Sequence, residues 1–395
     1  MPKVSITKNK EILLPEDFLS RRHLPTQLEC WLDERNGDLI LHPRLPNAKK
    51  LYIEATTACN LKCRTCIRNI WADPIEHMSL QTFQNIAENI GSLPSLERVI
   101  FTSFGEPLTH PHLLKMVEEV RNHDLAVTIG TNGLLLNKKV ARELVRLGVD
   151  RIMVSIDGGS PETYANIRKG ILTKVLDNIR GLNEAKHDLG SLKPDIGIEF
   201  VALRRNVAEL DDLVKMAARL NVSRLLVSHV LPYTDELLDE RLYSYEPVPP
   251  FKTSGWALRA DAWVMWAIEE LPRMHWGASR RCRFIHDHAI VVGWDGGVSP
   301  CYALSHNYSY YTIDGLKKQV SRYILGNTNT QSLSDIWTSE EYMRFRSEVK
   351  AFHFPSCPDC DLRDSCDLRE QNNGCWGWNP SCADCLWAQD IVRCP

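Results

Sequence analysis

The chain has 395 residues, 44% of them hydrophobic and 25% charged, so it can bury a sizeable core and is expected to form two or three domains. Its 47 Lys and Arg residues against 50 Asp and Glu residues give a net charge of -3, which argues against nucleic acid as a partner. The N-terminal residues mix charges into every short apolar run and no stretch is long enough to span a membrane, so we expect a cytoplasmic protein with no membrane partner.

Residues 1–45 are predicted to form a small extension that ends in a hairpin-like turn at Asn36-Gly37-Asp38. From about residue 50 to 230, short β-branched runs alternate with longer segments of helical period, which predicts six strand–helix units and a parallel sheet. The six strands are nearly continuous in apolar residues, as strands covered on both faces should be. We place them at Leu51–Thr56, Arg98–Ser103, Ala126–Thr131, Arg151–Ile156, Ile196–Ala202 and Arg224–Val230.

Helices are predicted between these strands, at residues 80–90, 111–123, 138–147, 161–187 and 207–220. Ser79, Pro111 and Pro161 stand where helices start, and Gly148 follows the third helix as a C-terminal stop. Six parallel strands with helices outside predict an α/β fold, a partial (β/α)6 TIM-type barrel with its active site at the C-terminal ends of the strands. An open parallel sheet is the alternative that periodicity leaves in place.

The alternation stops after residue 231, and four parts of the chain are predicted. Residues 1–45 form the extension, 46–231 the barrel, 232–280 a linker with an amphipathic helix near 258–271, and 281–395 a small C-terminal cysteine-rich domain. Nine of the 13 cysteines lie in this last part. Because cytosolic thiols are kept reduced, such a pattern indicates metal binding rather than disulfides.

Three cysteines follow the first predicted strand within eight residues, as Cys59-x3-Cys63-x2-Cys66. A structural zinc or a closed iron–sulfur cluster takes four thiolates, whereas three thiolates on a 4Fe-4S cluster leave one iron open to bind a substrate or cofactor. The alternative is a zinc site completed by a distant ligand such as His77.

This spacing on the first strand of a six-fold strand–helix pattern resembles the radical S-adenosylmethionine (SAM) superfamily. The resemblance continues at three later strand ends, in the segments Gly105-Glu106-Pro107, Thr131-Asn132-Gly133 and Ser155-Ile-Asp157-Gly158. It implies that Cys59, Cys63 and Cys66 are the catalytic residues that hold the SAM-binding 4Fe-4S cluster. It also implies that SAM is bound by Gly105, Glu106, Pro107, Thr131, Asn132, Ser155 and Asp157.

Two positions depart from the family pattern. Phe104 replaces the first glycine of the Gly-Gly-Glu-Pro segment, and Thr65 stands where an aromatic residue usually packs on adenine. Ile67, Ile70 or Trp71 is the expected substitute for that aromatic surface.

The C-terminal cysteines resemble the SPASM domain, which holds auxiliary clusters in radical SAM enzymes that modify peptides and proteins. The resemblance implies one or two auxiliary 4Fe-4S clusters, with ligands among Cys282, Cys301, Cys357, Cys360, Cys366, Cys375, Cys382, Cys385 and Cys394. The SPASM pattern expects a further cysteine where this chain has Glu370; Cys375 replacing it, Glu370 as a ligand, and an open iron remain alternatives. A pair of zinc ribbons is the competing interpretation of the two Cys-x2-Cys pairs.

A hairpin at residues 289–297 is expected to return Cys301 towards Cys282. Cys30 lies outside every pattern and is expected to be a small buried hydrophobe. His229 ends the sixth strand, where it is a candidate for substrate contact. His306 and its neighbouring histidines flank the first auxiliary cysteines, where a supporting role is a hypothesis.

Within the superfamily, the Cys-Arg-Thr-Cys-Ile-Arg-Asn and Cys-Leu-Trp-Ala-Gln segments are most similar to maturases of tungsten-cofactor oxidoreductases. The resemblance implies reductive cleavage of SAM to a 5'-deoxyadenosyl radical that abstracts hydrogen from a peptide, a protein such as a tungsten oxidoreductase, or its cofactor. An electron donor such as ferredoxin or flavodoxin is then an expected partner. Two alternatives are a radical SAM enzyme acting on a tetrapyrrole or cofactor precursor, and a non-catalytic zinc-binding adaptor.

Overall fold

The computed structural model describes most of the chain. The described residues are 5, 6, 8, 12–21, 28–35, 37–245, 272, 274, 279–377 and 379–394. The helix predicted near 258–271 lies outside them.

In the N-terminal extension, the described residues form two small antiparallel hairpins and one short helix. Strands β1 (Ser5–Ile6) and β2 (Ile12–Leu13) pair first, followed by helix α1 (Glu16–Arg21). Strands β3 (Cys30–Arg35) and β4 (Asp38–Pro43) then form the second hairpin, with Gly37 in its turn at φ 85°. The expectation that Cys30 is buried is wrong: the residue is exposed, because none of the described residues forms a second layer over this two-stranded hairpin.

Six parallel strands form the barrel sheet, each neighbour in the sheet being the next strand in sequence. They are β5 (Lys50–Ile53), β6 (Arg98–Phe101), β7 (Ala126–Thr131), β8 (Arg151–Ser155), β9 (Asp195–Ala202) and β10 (Arg224–His229). All five pairings between them are parallel. The predicted α/β partial barrel is therefore confirmed.

The helices that cover the outside of this sheet lie close to their predicted positions. They are α2 (Leu80–Asn89), α3 (Leu113–Arg121), α4 (Lys138–Arg146), α5 (Pro161–Arg168), α6 (Leu172–Asp188) and α7 (Leu210–Arg219). The single helix predicted over 161–187 is wrong, because Lys169 at φ 58° ends α5 before α6 begins. Their apolar faces pack on the strands in one large core.

The C-terminal region contributes to the same sheet. After helices α8 (Asp235–Asp239) and α9 (Arg283–His286), strand β11 (Ala289–Val292) pairs in parallel with β5. A tight turn containing Gly296 leads to β12 (Gly297–Ser299), as the predicted hairpin requires. The sheet thus runs across the predicted boundary at residue 281 and ends at the short strand Gly326–Asn327.

The remaining C-terminal elements surround this hairpin. They are the antiparallel pair β13 (Tyr308–Tyr311) and β14 (Lys317–Val320), strand β15 (Gly326–Asn327), and helices α10 (Leu333–Trp337) and α11 (Glu340–Ala351). The residues after Ala351 form short 3₁₀ turns and irregular segments among the cysteines.

Candidate active site

The cysteine motif lies on a long loop that follows β5 and is closed at its base by a bridge between Thr56 and His77. The Cys59 sulfur accepts a hydrogen bond from the Leu61 amide at 3.4 Å. The Cys63 thiol donates to the Arg168 carbonyl at 3.4 Å. Burial raises the pKa of the Cys66 thiol to about 11. His77, the alternative zinc ligand, is exposed at the base of the loop with its ring against His110.

The loop after β6 packs directly on the cysteine loop, and Gly105 makes that contact possible. A Cβ atom at Gly105 would lie 2.0 Å from the Thr56 carbonyl oxygen and 3.0 Å from the Ala58 carbonyl oxygen. The next amide, of Glu106, donates to the Ala58 carbonyl at 2.8 Å. A glycine is therefore required where these two backbones meet.

Glu106 is buried, with 2% of its surface exposed, and its carboxylate joins two neighbouring strand ends. It accepts hydrogen bonds from the Thr131 hydroxyl at 2.7 Å and from the Asn132 amide at 2.6 Å. Pro107 begins a 3₁₀ turn whose Leu108 amide also binds this carboxylate, at 3.1 Å. Each carboxylate oxygen has two lone pairs, so Glu106 retains acceptor capacity towards the chamber that it lines.

The end of β8 holds the predicted residues Ser155 and Asp157, and the structure places them differently. Ser155 lines the chamber, whereas Asp157 is fully buried behind it. Asp157 accepts from the Val201 amide at 2.8 Å and pairs with the Arg168 guanidinium at 2.6 Å. Arg168, at the end of α5, is the side chain that reaches the chamber. Although burial opposes its charge, Asp157 and the thiol of Cys63 hold the pKa of Arg168 above its ordinary value.

Glu199 on β9 is a second chamber residue that the sequence reasoning missed. Burial raises the pKa of its carboxyl to about 7, an effect that Arg168 and the hydroxyl of Ser155 partly offset. Its Oε1 atom is buried and has no hydrogen-bond partner among the described residues. An acidic residue in the middle of the otherwise apolar run 196–202 was the available sequence clue.

These groups line one cavity of about 250 Å³, here called the central chamber. Its walls carry the three motif cysteines, Gly105, Glu106, Thr131, Asn132, Ser155, Arg168 and Glu199. Of the three residues expected to replace the aromatic adenine contact, Ile67 lines the chamber, and so does Phe104 at the variant glycine position. His229 also lines it, although burial lowers its pKa to about 4 and its Nε2 lies 3.0 Å from the Pro272 carbonyl.

Four of the C-terminal cysteines form one group. In this group, burial and mutual charge repulsion raise the pKa of the Cys301 and Cys382 thiols, with Cys282 and Cys385 as their charged neighbours. Three members of this group are buried and come from the β11 hairpin region and the last turns of the chain. Four thiols in one place fit the ligand set of a closed 4Fe-4S cluster.

Of the other cysteines, Cys357, Cys360 and Cys366 lie on consecutive turns, in which the Cys360 amide donates to the Cys357 carbonyl at 3.3 Å and the Cys366 amide to the Arg363 carbonyl at 3.3 Å. Burial raises the pKa of the Cys357 thiol to about 12, and Cys375 contributes to that rise through its charge. The two thiols therefore lie close enough to interact, although 18 positions separate them in the printed sequence. Glu370 is exposed.

Cys394, the ninth C-terminal cysteine, lies on the wall of the central chamber. Its sulfur accepts a hydrogen bond from the Trp387 indole at 3.3 Å, and burial raises its pKa to about 12. The segment that carries it crosses the open side of the barrel, where the Ile391 carbonyl accepts from the His229 amide at 3.1 Å.

Within the described residues, no three histidine, cysteine or carboxylate side chains are close enough to hold one metal ion. A tetrahedral zinc with bonds of about 2.3 Å brings its sulfurs to ~3.8 Å from one another. A 4Fe-4S cluster binds each thiolate to a different iron and keeps the sulfurs farther apart. Thiols that do not converge on one point are therefore more compatible with clusters than with single zinc ions.

The comparisons with known proteins agree with this geometry. The family model of the radical SAM superfamily matches residues 53–217, and that of an iron–sulfur cluster-binding domain, SPASM, matches residues 282–361. The chain belongs to the radical SAM superfamily. It is an enzyme that uses 4Fe-4S clusters and SAM, as the sequence predicted.

Two relatives indicate its place in that superfamily. The chain is 36% identical to a tungsten-containing aldehyde ferredoxin oxidoreductase cofactor-modifying protein of Pyrococcus furiosus, over 88% of this chain and 97% of the relative. It is 32% identical to a probable GTP 3',8-cyclase of Methanococcus aeolicus, over 52% of this chain and 64% of that relative.

Solved structures share the fold at low sequence identity. Streptococcus suis SuiB bound to its precursor peptide SuiA aligns with a TM-score of 0.56 and 15% identity, over 85% of this chain and 72% of SuiB. The structure of anSMEcpe with bound AdoMet aligns with a TM-score of 0.54 and 17% identity, over 87% and 93%. Across the described residues, we find no helix that combines the length and apolar character of a membrane span.

Proposed function

We propose that this enzyme matures a tungsten-dependent oxidoreductase by radical modification of its cofactor, of the protein, or of an associated peptide. The observation that carries the proposal is the similarity to the Pyrococcus furiosus cofactor-modifying protein over 97% of that protein's length. The chamber supports it, because it combines an open three-cysteine site with polar groups from successive strand ends.

We infer that Cys59, Cys63 and Cys66 hold the catalytic cluster and leave one iron for SAM. When bound, the cluster and SAM supply a 5'-deoxyadenosyl radical that abstracts hydrogen from the substrate. Glu106 offers a buried carboxylate for the amino group of SAM, and Arg168 offers a cation for its carboxylate. Asp157 fixes the orientation of Arg168 from behind and so acts as a positioning residue.

The remaining predicted residues shape the same chamber. Gly105 allows the loop that carries Glu106 to approach the cysteine loop, and Pro107 begins the turn that donates to this carboxylate. Thr131 and Asn132 orient the carboxylate through hydrogen bonds. Ser155, beside Glu199, faces the space left for ribose and substrate. Together these groups exclude water from a site where stray hydrogen donors would quench the radical.

We infer two auxiliary clusters in the C-terminal domain, one on Cys282, Cys301, Cys382 and Cys385 and one on Cys357, Cys360, Cys366 and Cys375. In this assignment Cys375 takes the place of the cysteine expected at Glu370. It leaves Cys394 outside both ligand sets. We propose a ferredoxin or flavodoxin as the electron donor. We also propose that the chain divides into the four parts 1–45, 46–231, 232–280 and 281–395.

The first experiment is anaerobic purification followed by iron, sulfide and zinc analysis and an assay for 5'-deoxyadenosine with dithionite and SAM. We expect about twelve irons per chain, four for each of three clusters. The triple variant Cys59/Cys63/Cys66→Ala should lose about four irons and all SAM cleavage. Cys30→Ala is the matched control, because this exposed cysteine lies outside every cluster group. Stoichiometric zinc without SAM cleavage would refute the enzyme and support the zinc-binding adaptor.

The substrate is tested by offering the apo tungsten oxidoreductase, its isolated pterin cofactor and an unrelated peptide in parallel reactions. A mass change in the oxidoreductase or the cofactor supports the proposal. Product from the unrelated peptide alone would overturn it. A radical SAM enzyme for a tetrapyrrole or other cofactor precursor is the second candidate, and it predicts product with no protein present.

A further inference from the structure

A second cavity, also of about 250 Å³, lies among the amino-terminal ends of the barrel strands, opposite the cysteine loop. We call it the basic cavity, because the first residue of four barrel strands lines it with a cation. These residues are Lys50, Arg98, Arg151 and Arg224. Arg283, Arg393 and the carboxylate of Asp287 also line the cavity, where Lys50 pairs with Asp287 at 2.7 Å and Arg283 pairs with Asp390 at 3.0 Å. Barrel interiors are normally packed with layers of branched apolar side chains, so arginines in this position need another physical reason.

The strand arginines are only partly neutralised by carboxylates. Arg151 pairs with Asp195 at the long distance of 3.7 Å. Within the described residues, neither Arg98 nor Arg224 has a carboxylate in ion-pair distance; Arg98 donates instead to the hydroxyl of Thr128 at 3.0 Å. Arg224 is exposed at the mouth of the cavity, so an anion can reach these arginines from solvent.

The three guanidinium groups lie close enough to repel one another. Burial lowers the pKa of Arg151, and the charges of Arg224 and Arg98 lower it further. The Nε atom of Arg151 is buried and has no acceptor among the described residues. An anion with several oxygens would relieve the repulsion and accept the unused donors, and guanidinium groups match phosphate in two-point contacts.

Leu226 and four C-terminal residues line both the basic cavity and the central chamber. These shared residues are Trp387, Val392, Arg393 and Cys394. A group bound in the basic cavity therefore lies next to the chamber where the radical would form.

We propose that the basic cavity binds the phosphate group of the substrate, which is accordingly a phosphorylated small molecule rather than an unmodified peptide. The proposal rests on the proposed function and narrows it to the cofactor or a phosphorylated precursor of it. Arg151 and Arg224 contribute positive charge to this site. Arg98 and Thr128 complete the surface that faces the phosphate oxygens.

The test uses the reconstituted full-length enzyme without SAM and measures the binding of pyrophosphate by anaerobic calorimetry. We expect the dissociation constant to rise at least about tenfold in Arg151→Gln/Arg224→Gln, since each lost ionic contact is typically worth that much or more. The matched control is Arg142→Gln/Arg180→Gln, which removes the same charge from the outer helices, where both side chains are about half exposed. Arg224→Lys keeps the positive charge at this position and tests whether charge alone is sufficient for binding. Iron content and circular dichroism verify that each variant is folded.

Each outcome separates this inference from the proposed function. Weaker binding in the cavity variant with unchanged binding in the control supports the phosphate site. No pyrophosphate binding by wild type, or equal weakening in both double variants, overturns it even when wild type cleaves SAM. Failure of wild type to cleave SAM overturns the proposed function, whatever pyrophosphate does.

Discussion

Replacing Gly105 with alanine gives the sharpest test of how the chamber is built. The added Cβ would lie 2.0 Å from the Thr56 carbonyl oxygen, so the two loops must separate by about 1 Å to reach the 3.0 Å at which such contacts begin to occur. Both close neighbours are backbone oxygens, and no side-chain rotation can relieve them. The displacement must therefore move Glu106, whose amide is bound to the same loop.

The expected effect on activity is larger than the effect on stability. Overpacking of this kind costs about 1–3 kcal/mol of unfolding free energy. A displacement of ~1 Å in a positioning group can lower a rate about 100-fold. We therefore expect Gly105→Ala to keep its iron and its fold while 5'-deoxyadenosine formation falls about 100-fold.

The assay compares initial rates of SAM cleavage in wild type, Gly105→Ala and Gly91→Ala after reconstitution and iron analysis. Gly91 is the matched control, because a Cβ there meets nothing within 4 Å. Rates in Gly105→Ala within about threefold of wild type, with iron content equal, would refute the close-packing argument.

Four other changes test separate parts of the site. Asp157→Asn leaves a buried arginine without its carboxylate, so urea unfolding of the reconstituted enzyme should show a loss of about 3–5 kcal/mol, and a loss below ~1 would contradict the pairing. His306→Gln removes the ion pairs with Glu54 and Asp73 that raise the pKa of the histidine. These pairs stabilise the protein fully below pH ~6.5, and the stabilisation is lost as the pH rises through the raised pKa. A melting-temperature difference from wild type that stays constant with pH would count against them. Burial raises the pKa of Glu199 to about 7, and only the ionised carboxylate attracts the positively charged SAM, so SAM affinity measured by calorimetry should increase as pH rises through about 7 in wild type and stay flat in Glu199→Gln. Cys375→Ser should lose up to about four irons, unlike Cys30→Ser, and full iron content would remove Cys375 from the ligand set.

The sequence predicted most of the barrel because its strands are short apolar runs separated by helix caps. Strand β7 was predicted with the bounds that the structure has, and the others differ by one to three residues at an end. The break between α5 and α6 was missed although Gly170 is a helix-stop signal: residues 169–171 are non-helical, and Lys169 at φ 58° ends α5.

The chamber was predicted only where its residues follow a strand in a familiar order. Arg168 was missed because it sits at the end of a helix and enters the chamber through its pairing with Asp157, a contact that spacing along the chain does not reveal. The basic cavity was missed for a related reason: its strand arginines, Arg98, Arg151 and Arg224, are 53 or more positions apart, and only the parallel register gathers the strand ends that carry them. Cys30 was misjudged because cysteine burial depends on a second layer, which the part of the chain that the structure describes does not place over its hairpin.

The pairing of β11 with β5 determines whether the barrel can be expressed without the C-terminal region. Strand β5 begins the barrel and leads into the cysteine loop, and its far edge is occupied by β11, with the Glu54 amide donating to the Val292 carbonyl at 2.9 Å. A barrel expressed without the C-terminal region would expose this four-residue edge, and unpaired edges template aggregation. The C-terminal region that carries the auxiliary cysteines thus also covers the edge of the barrel sheet. We expect the barrel and this region to fold as one cooperative unit and to require expression as one chain.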